Sequence, residues 1–176
     1  MVFTHDTTAA LLAAVALANS AVEPDTLTTP AELDAFVAEH GYTAARTRDA
    51  AELEAVRRLR GPLRELLTSD RDEAVRIVNR TFAEHVVLPQ VVRHDGWDYH
   101  LHVDAADAPQ ADQIAVETAM AMVDVIRADE LSRLAVCADA PCGGVVLDLS
   151  RNRSRRFCST ACGNRVAAAA YRARRT

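Results

Sequence analysis

Four cysteines constrain this chain more than any other feature, because all of them lie between positions 137 and 162. Cys137 and Cys142 form a C-x4-C pair, Cys158 and Cys162 form a C-x3-C pair, and 15 residues separate the two pairs. Two short pairs at this distance can each supply two thiolates to one tetrahedral ion. The spacing therefore predicts one structural zinc ion with Cys137, Cys142, Cys158 and Cys162 as its ligands.

Ordinary buried cysteines or a redox-active set are the alternative to a metal site. The longest apolar run, Ala9 to Ala18, is about half of the roughly 20 residues that cross a bilayer. His5 and Asp6 precede it where a signal peptide has basic residues, so we expect a cytoplasmic protein with no membrane partner. A reducing compartment keeps thiols available as metal ligands, which favours zinc.

Charge is distributed unevenly along the chain. Residues 1–148 hold 25 acidic residues and 12 arginines, a net charge of −13, whereas residues 149–176 hold eight arginines and no acid, a net charge of +8. Guanidinium groups bind phosphate oxygens in pairs, so the basic end predicts a nucleic-acid-binding surface. The alternative is a solvated tail that merely offsets the acidic body. Part of the cluster, Arg151, Arg153, Arg155, Arg156 and Arg165, is also close enough in sequence to the cysteines to offset the formal −2 charge of a zinc-thiolate site. The predicted contacts are Arg151, Arg153, Arg155, Arg156, Asn164, Arg165, Arg172, Arg174 and Arg175.

Helical patterns dominate the acidic part of the chain. Thr29, Pro30 and Glu32 predict a capped helix start, and Gly41 predicts its end. Apolar residues at helical spacing predict further helices over 7–19, 47–67, 70–85 and from 107 to Cys137. Gly61 and Pro62 should kink or split the second of these, because proline removes a helical donor and crowds the preceding turn.

Two hairpins are predicted as well. The first joins residues 86–92 and 97–103 through the turn His94-Asp95-Gly96. The second joins 145–149 and 154–157, with Asp148 and Ser150 fixing the turn, before a helix that begins at Cys158. We therefore expect a mainly α fold with a small β-hairpin: a helical domain over 1–133, and a four-cysteine module resembling a treble clef or zinc ribbon over 134–176.

The sequence does not predict an enzyme. Four thiolates close the coordination sphere, whereas catalytic zinc keeps an open position. His100 and His102 lie two apart on one strand near His94 and Asp98 and could hold a second metal, but a polar, solvent-facing strand is the favoured interpretation. The sequence contains no Gly-rich phosphate loop, no G-x-S-x-G and no H-E-x-x-H.

The basic end resembles a known family in its letters as well as its spacing. The segments Leu147-Asp-Leu-Ser-Arg-Asn152, Arg155-Arg-Phe-Cys158 and Cys162-Gly-Asn-Arg165 are similar to the CGNR zinc finger of bacterial proteins. The preceding residues, helical with one hairpin, resemble the ABATE domain that accompanies it. The chain departs from the pattern in having Phe157 where tryptophan is frequent, and an alanine run at 167–170 where a lysine is frequent.

The resemblance implies a stress-induced transcription regulator whose finger binds DNA and whose body has a regulatory or ligand-sensing role. A structural zinc module in a protein-interaction protein is one alternative. Another is a small-molecule-binding domain with a pocket between the helices and the strand of Trp97. The partners expected are DNA and a small-molecule effector or a protein bound by the body, and a homodimer is compatible with the sequence.

Overall fold

The computed structural model of the chain describes residues 3–85, 89–93, 98–103 and 108–175. The helices are α1 (His5–Asn19), α2 (Pro30–His40), α3 (Ala50–Arg58), α4 (Arg60–Thr68), α5 (Arg71–Glu84), α6 (Gln110–Arg127) and α7 (Thr160–Ala173), with a 3₁₀ turn at Leu131–Arg133. The strands are β1 (Pro89–Val92), β2 (His100–Val103), β3 (Leu134–Val136) and β4 (Val145–Leu147). None of the helices in these ranges combines the length and the hydropathy that a membrane span requires. The expected mainly α fold with a small hairpin is confirmed.

Local signals placed the ends of α2 and the split between α3 and α4 correctly. Thr29 Oγ1 accepts a hydrogen bond from the Glu32 N–H at 3.2 Å, and Glu32 Oε2 accepts one from the Thr29 N–H at 2.9 Å, which is the predicted capping box. Gly41 ends α2 with a φ of 71°, a conformation that glycine adopts without strain. Pro62 lies in the first turn of α4, and the predicted long helix is split at Leu59.

The core lies where α1 packs against α4 and α6, with α5 on another side of α6. Leu11 and Leu17 of α1 and Ile114 and Met122 of α6 are fully buried there. The same cluster takes in Leu134, Val145 and Leu147 from the four-cysteine segment. The finger and the helical body therefore share one apolar core, and the boundary between residues 133 and 134 stays a prediction.

Two predictions about the second half of the chain are wrong. α6 ends at Arg127, not near Cys137, because Asp129 adopts a φ of 57° and turns the backbone out of the helix. Leu134 reaches the core from a strand instead. Residues 154–157 form no strand; β4 pairs antiparallel with β3, with Ala135 opposite Val146.

The first hairpin forms with β1 and β2 antiparallel and Gln90 opposite His102. Its predicted turn at 94–96 and Trp97 lie outside the described residues. Tyr99 and Leu101 are 70% and 52% exposed, whereas His100 is half-buried beside a cavity. The solvent-facing histidine surface expected at this strand is therefore wrong for His100.

Candidate metal centre and nucleic-acid interface

The sulfur atoms of Cys137, Cys142, Cys158 and Cys162 all lie within 4.8 Å of one another. Cys158 Sγ is 3.4 Å from Cys142 Sγ and 3.7 Å from Cys162 Sγ. A tetrahedral Zn²⁺ with bonds of about 2.3 Å has sulfur edges of about 3.8 Å. A disulfide needs about 2.05 Å, so these separations fit a shared tetrahedral ion and not a bridged pair.

The first cysteine pair lies on a tight turn between β3 and β4. The Cys137 N–H donates to the Gly144 carbonyl at 2.7 Å, and the Cys142 N–H donates to the Asp139 carbonyl at 2.8 Å. A side chain at Gly144 would meet Cys158 Sγ at 3.0 Å and Cys142 Sγ at 3.3 Å. The absent side chain is what lets the turn close around the sulfurs.

The second pair lies at the start of α7. Ser159 caps the helix by accepting the Cys162 N–H at 3.3 Å, and this places Cys158 and Cys162 one turn apart with both sulfurs facing the first pair. Cys162 is the buried residue of α7. Gly163 packs against the Phe157 ring, which lies 3.4 Å from the position that a Cβ would take.

Burial raises the pKa of the Cys158 and Cys142 thiols, because a thiolate loses hydration inside the cluster. Four thiolates this close also repel one another. A divalent cation supplies the opposite charge that lets them ionise together. The donor set is soft and closed, which suits Zn²⁺ in a structural role.

Arg165 lies beside the cluster, although its side chain is 57% exposed. Its Nε donates to Asp139 Oδ2 at 2.8 Å and its Nη2 lies 3.2 Å from Cys162 Sγ. Hydrogen bonding to Asp139 raises the pKa of Arg165 above its ordinary value. Asp139 is buried, so this pair fixes a positive charge against the sulfur that anchors α7.

The turn between β4 and Cys158 is fixed by Asp148, as predicted. Its Oδ1 accepts the Ser150 N–H at 2.8 Å and its Oδ2 accepts the Arg155 N–H at 2.7 Å. Arg133, which the sequence did not single out, donates from Nη1 to the carbonyls of Asp148 and Ser150 at 2.9 and 3.0 Å. Buried Asp148 and Arg133 thereby tie the arginine-bearing loop to the start of β3.

Replacement of Asp148 by asparagine is expected to destabilise the protein by about 1–3 kcal/mol at neutral pH, because the amide nitrogen would face the Arg155 donor. Hydrogen bonds, first those from Ser150, hold the pKa of Asp148 below its ordinary value. The carboxylate therefore stabilises the fold above its unfolded pKa, about 3.9, and this contribution is lost as the pH falls through the folded pKa. Urea midpoints of wild type and Asp148→Asn should converge below about pH 4. A pH-independent gap, or an equal loss in the exposed control Glu65→Gln, would contradict this role.

The nine predicted nucleic-acid contacts fall into two sets. Four arginines bond to the protein itself: Arg153 to Glu130 and Ser132, Arg155 to the carbonyls of Phe157 and Cys158, Arg165 to Asp139, and Arg175 to the Tyr171 hydroxyl. The other four arginines are exposed, and their guanidinium groups make no ion pair or hydrogen bond within the described ranges. These outward arginines are Arg151, Arg156, Arg172 and Arg174. Asn164 is exposed too, and its amide bonds to no described residue.

Polar contacts from α1 and α4 also join the finger to the helical body. Asn19, the last residue of α1, accepts the Val145 N–H at 2.6 Å and donates to the Val145 carbonyl at 2.8 Å. Arg64 of α4 donates to the Gly143 carbonyl. Sequence analysis missed both residues, since an asparagine after a helix is an ordinary helix end and gives no sign of a partner 126 positions away.

Comparison with known families agrees with the resemblance drawn from the sequence. The family described as "Putative stress-induced transcription regulator", ABATE, matches residues 12–129, and the CGNR zinc finger matches residues 133–175. The two follow one another in the expected order. Neither is a family of enzymes. No curated protein matches the chain.

Proposed function

From the premise that this chain belongs to the ABATE family and carries a CGNR zinc finger, we propose that it is a zinc-dependent transcription regulator whose finger binds DNA. One structural Zn²⁺ is held by Cys137, Cys142, Cys158 and Cys162. The helical body, residues 1–133, has the regulatory or ligand-sensing role. Reducing conditions in the cytoplasm would keep the four thiolates available to the metal.

The observation that carries the proposal is the set of outward arginines. Arg151 and Arg156 lie in the loop before Cys158, and Arg172 and Arg174 lie at the end of α7. All four are exposed, and no acidic residue follows Asp148 in the sequence. Guanidinium groups without internal partners are available to phosphate oxygens, so the finger has the charge that a DNA backbone attracts.

Binding of a fluorescent duplex by the zinc-loaded chain, followed by anisotropy at several salt concentrations, tests this function. We expect affinity at low salt that falls linearly in log–log form as salt rises, since each neutralised phosphate releases counterions. A chain that shows no affinity for the duplex at low salt would not be a DNA-binding regulator.

Arg165 is expected to act through the metal and not through DNA. Replacing it with leucine removes the charge beside Cys162 and leaves buried Asp139 unpaired. Zinc should therefore pass to a competing chelator at an affinity lower by about tenfold or more. Arg151→Leu, an exposed position of equal charge, is the matched control and should retain zinc like wild type. Equal zinc affinity in both variants would remove Arg165 from the metal site.

A structural finger that serves a protein interface is the second candidate function. The internal bonds of Arg153, Arg155 and Arg165 favour it, because these three of the eight basic residues in this segment serve the fold. It predicts zinc binding without DNA affinity. The salt titration separates it from the regulator, since both proposals require the same metal.

A further inference from the structure

The helical body contains a cavity of about 310 Å³ that neither the finger nor the zinc site uses. It lies between α1 and α6, with His40 to Tyr42 after α2 at one side and Phe82 and His100 at another. Its volume is at the lower end of the range of about 300–1,000 Å³ for small-molecule sites. The pocket expected between the helices and a strand therefore exists, although Trp97 lies outside the described residues.

The wall combines an apolar part with an acidic one. Ala9 and Ala10 of α1, Met120 of α6 and Phe82 of α5 supply the apolar part. Asp6, Glu117 and Asp124 supply three carboxylates, against one guanidinium from Arg127. Burial lowers the pKa of His40, so this ring adds no compensating charge near neutral pH. The cavity is negative on balance.

Two of the carboxylates are held in place. The Thr7 hydroxyl donates to Asp124 Oδ2 at 2.5 Å, and Gln113 Nε2 donates to Glu117 Oε1 at 2.8 Å. Gln113 is fully buried and its Oε1 also accepts the Ala44 N–H at 2.9 Å, which ties Glu117 to the loop after Tyr42. Acids fixed in this way can bind a cation without first being ordered.

The Tyr42 hydroxyl is an independent sign of a ligand. Its oxygen is buried and has no hydrogen-bond partner among the described residues. Burial, with the nearby Glu117 charge, raises the pKa of Tyr42 well above its usual range, so the hydroxyl stays protonated. A buried polar group left without a partner costs stability, which a ligand donor or acceptor would recover.

We propose that this cavity binds a small organic ammonium ion, with the charged nitrogen between the carboxylates and the Tyr42 hydroxyl and a compact apolar body against Ala10, Met120 and Phe82. The inference rests on the proposed function, because the ammonium ion would be the effector of the proposed transcription regulator. α1 connects the two sites, since Ala9 and Ala10 line the cavity and Asn19 bonds to Val145 at the start of β4.

Calorimetric titration of the full zinc-loaded chain with benzylammonium, phenethylammonium and cyclohexylammonium tests the proposal, with benzyl alcohol and benzoate as neutral and anionic counterparts. We expect at least one amine to bind one to one and about tenfold more tightly than its neutral counterpart, as a charged hydrogen bond provides. No DNA is present, so a negative result here leaves the DNA-binding function standing, and a finger without DNA affinity leaves this site standing.

Three variants show where the amine binds. Tyr42→Phe and Asp124→Asn should each weaken amine binding about tenfold, and Tyr42→Phe should leave the unfolding midpoint equal to wild type or higher. Ala10→Leu should fill the cavity and abolish binding, whereas Leu12→Phe, on an exposed face of the same helix, should bind like wild type. No preference for amines over their neutral and anionic counterparts, or unchanged affinity in Tyr42→Phe and Ala10→Leu, would overturn the proposal.

Discussion

Replacing Cys162 with alanine is expected to release the zinc ion and unfold α7. Cys162 is the buried residue of that helix, and the rest of α7 is exposed or half-buried. The small core around it consists of Val146 and Phe157 together with the four cysteines. The zinc–sulfur bonds therefore supply most of the interactions that attach α7. Structural zinc contributes about 10–16 kcal/mol to the folding free energy of comparable small modules.

Metal analysis and amide hydrogen exchange measure this effect together. Wild type should carry one zinc ion per chain, and Cys162→Ala should carry none. Amides of α7 should lose protection in the variant, while those of α6 keep most of theirs because its core contacts with α1 remain. Thr160→Ser, exposed at the start of α7, is the control. Retention of zinc by Cys162→Ala, or unchanged protection of α7 amides, would contradict the proposed ligand set.

Replacing the outward arginines with alanine is expected to remove most of the DNA affinity while leaving zinc in place. Each arginine that contacts a phosphate contributes about one unit to the slope of log affinity against log salt. The quadruple variant, with alanine at Arg151, Arg156, Arg172 and Arg174, should therefore have a salt slope that is smaller in magnitude by up to about four units. Because none of the four guanidinium groups has an internal partner in the described ranges, and alanine keeps the backbone bonds, the fold should keep its stability.

A matched pair of double variants separates position from net charge. Arg172→Ala with Arg174→Ala removes two charges from the finger, and Arg58→Ala with Arg80→Ala removes two exposed charges from the body. Only the first should reduce the salt slope. If both double variants weaken binding equally, the effect is one of total charge, and the finger is not the contact surface.

Local signals in the sequence predicted much of this architecture. The cysteine spacing predicted that the four sulfurs lie close together, and Thr29, Glu32 and Gly41 predicted the ends of α2 correctly. Asp148 was expected to fix its turn, and it does. Each of these features depends on residues a few positions apart, or on cysteines that have few other uses in such a pattern.

Contacts between distant residues were harder to predict. The sequence analysis paired β4 with the nearer segment, 154–157, whereas the partner of β4 is β3, which lies before the turn that carries Cys137 and Cys142. Arg165 was expected either to contact DNA or to offset the charge of the zinc site, and nothing in its sequence neighbourhood showed that Asp139, 26 positions earlier, would be buried beside it. The net charge of a segment is the same whether a guanidinium bonds to the protein or faces solvent. The division into internally bonded and outward arginines was therefore visible only in the structure.

The sequence indicated the residues of the cavity even less clearly than it indicated these distant contacts. Tyr42, Glu117 and Asp124 come from segments separated by up to 82 positions and match no motif. The alanines of α1 were expected in a buried helix, and Ala10 does pack beside the core. The small size of Ala9 and Ala10 also leaves the space that forms the cavity. A cavity is space that the packed side chains leave unfilled, and the periodicity of apolar residues along the sequence does not indicate where such space remains.

Duplex binding by the same protein sample with zinc, after removal of zinc by a chelator, and after zinc is restored tests the central claim most directly. The four cysteines order the segment that carries the outward arginines, so affinity at low salt should be present, then lost, then recovered. Affinity that persists unchanged without the metal, or that is absent from the zinc-loaded chain, would contradict a zinc-organised DNA-binding finger.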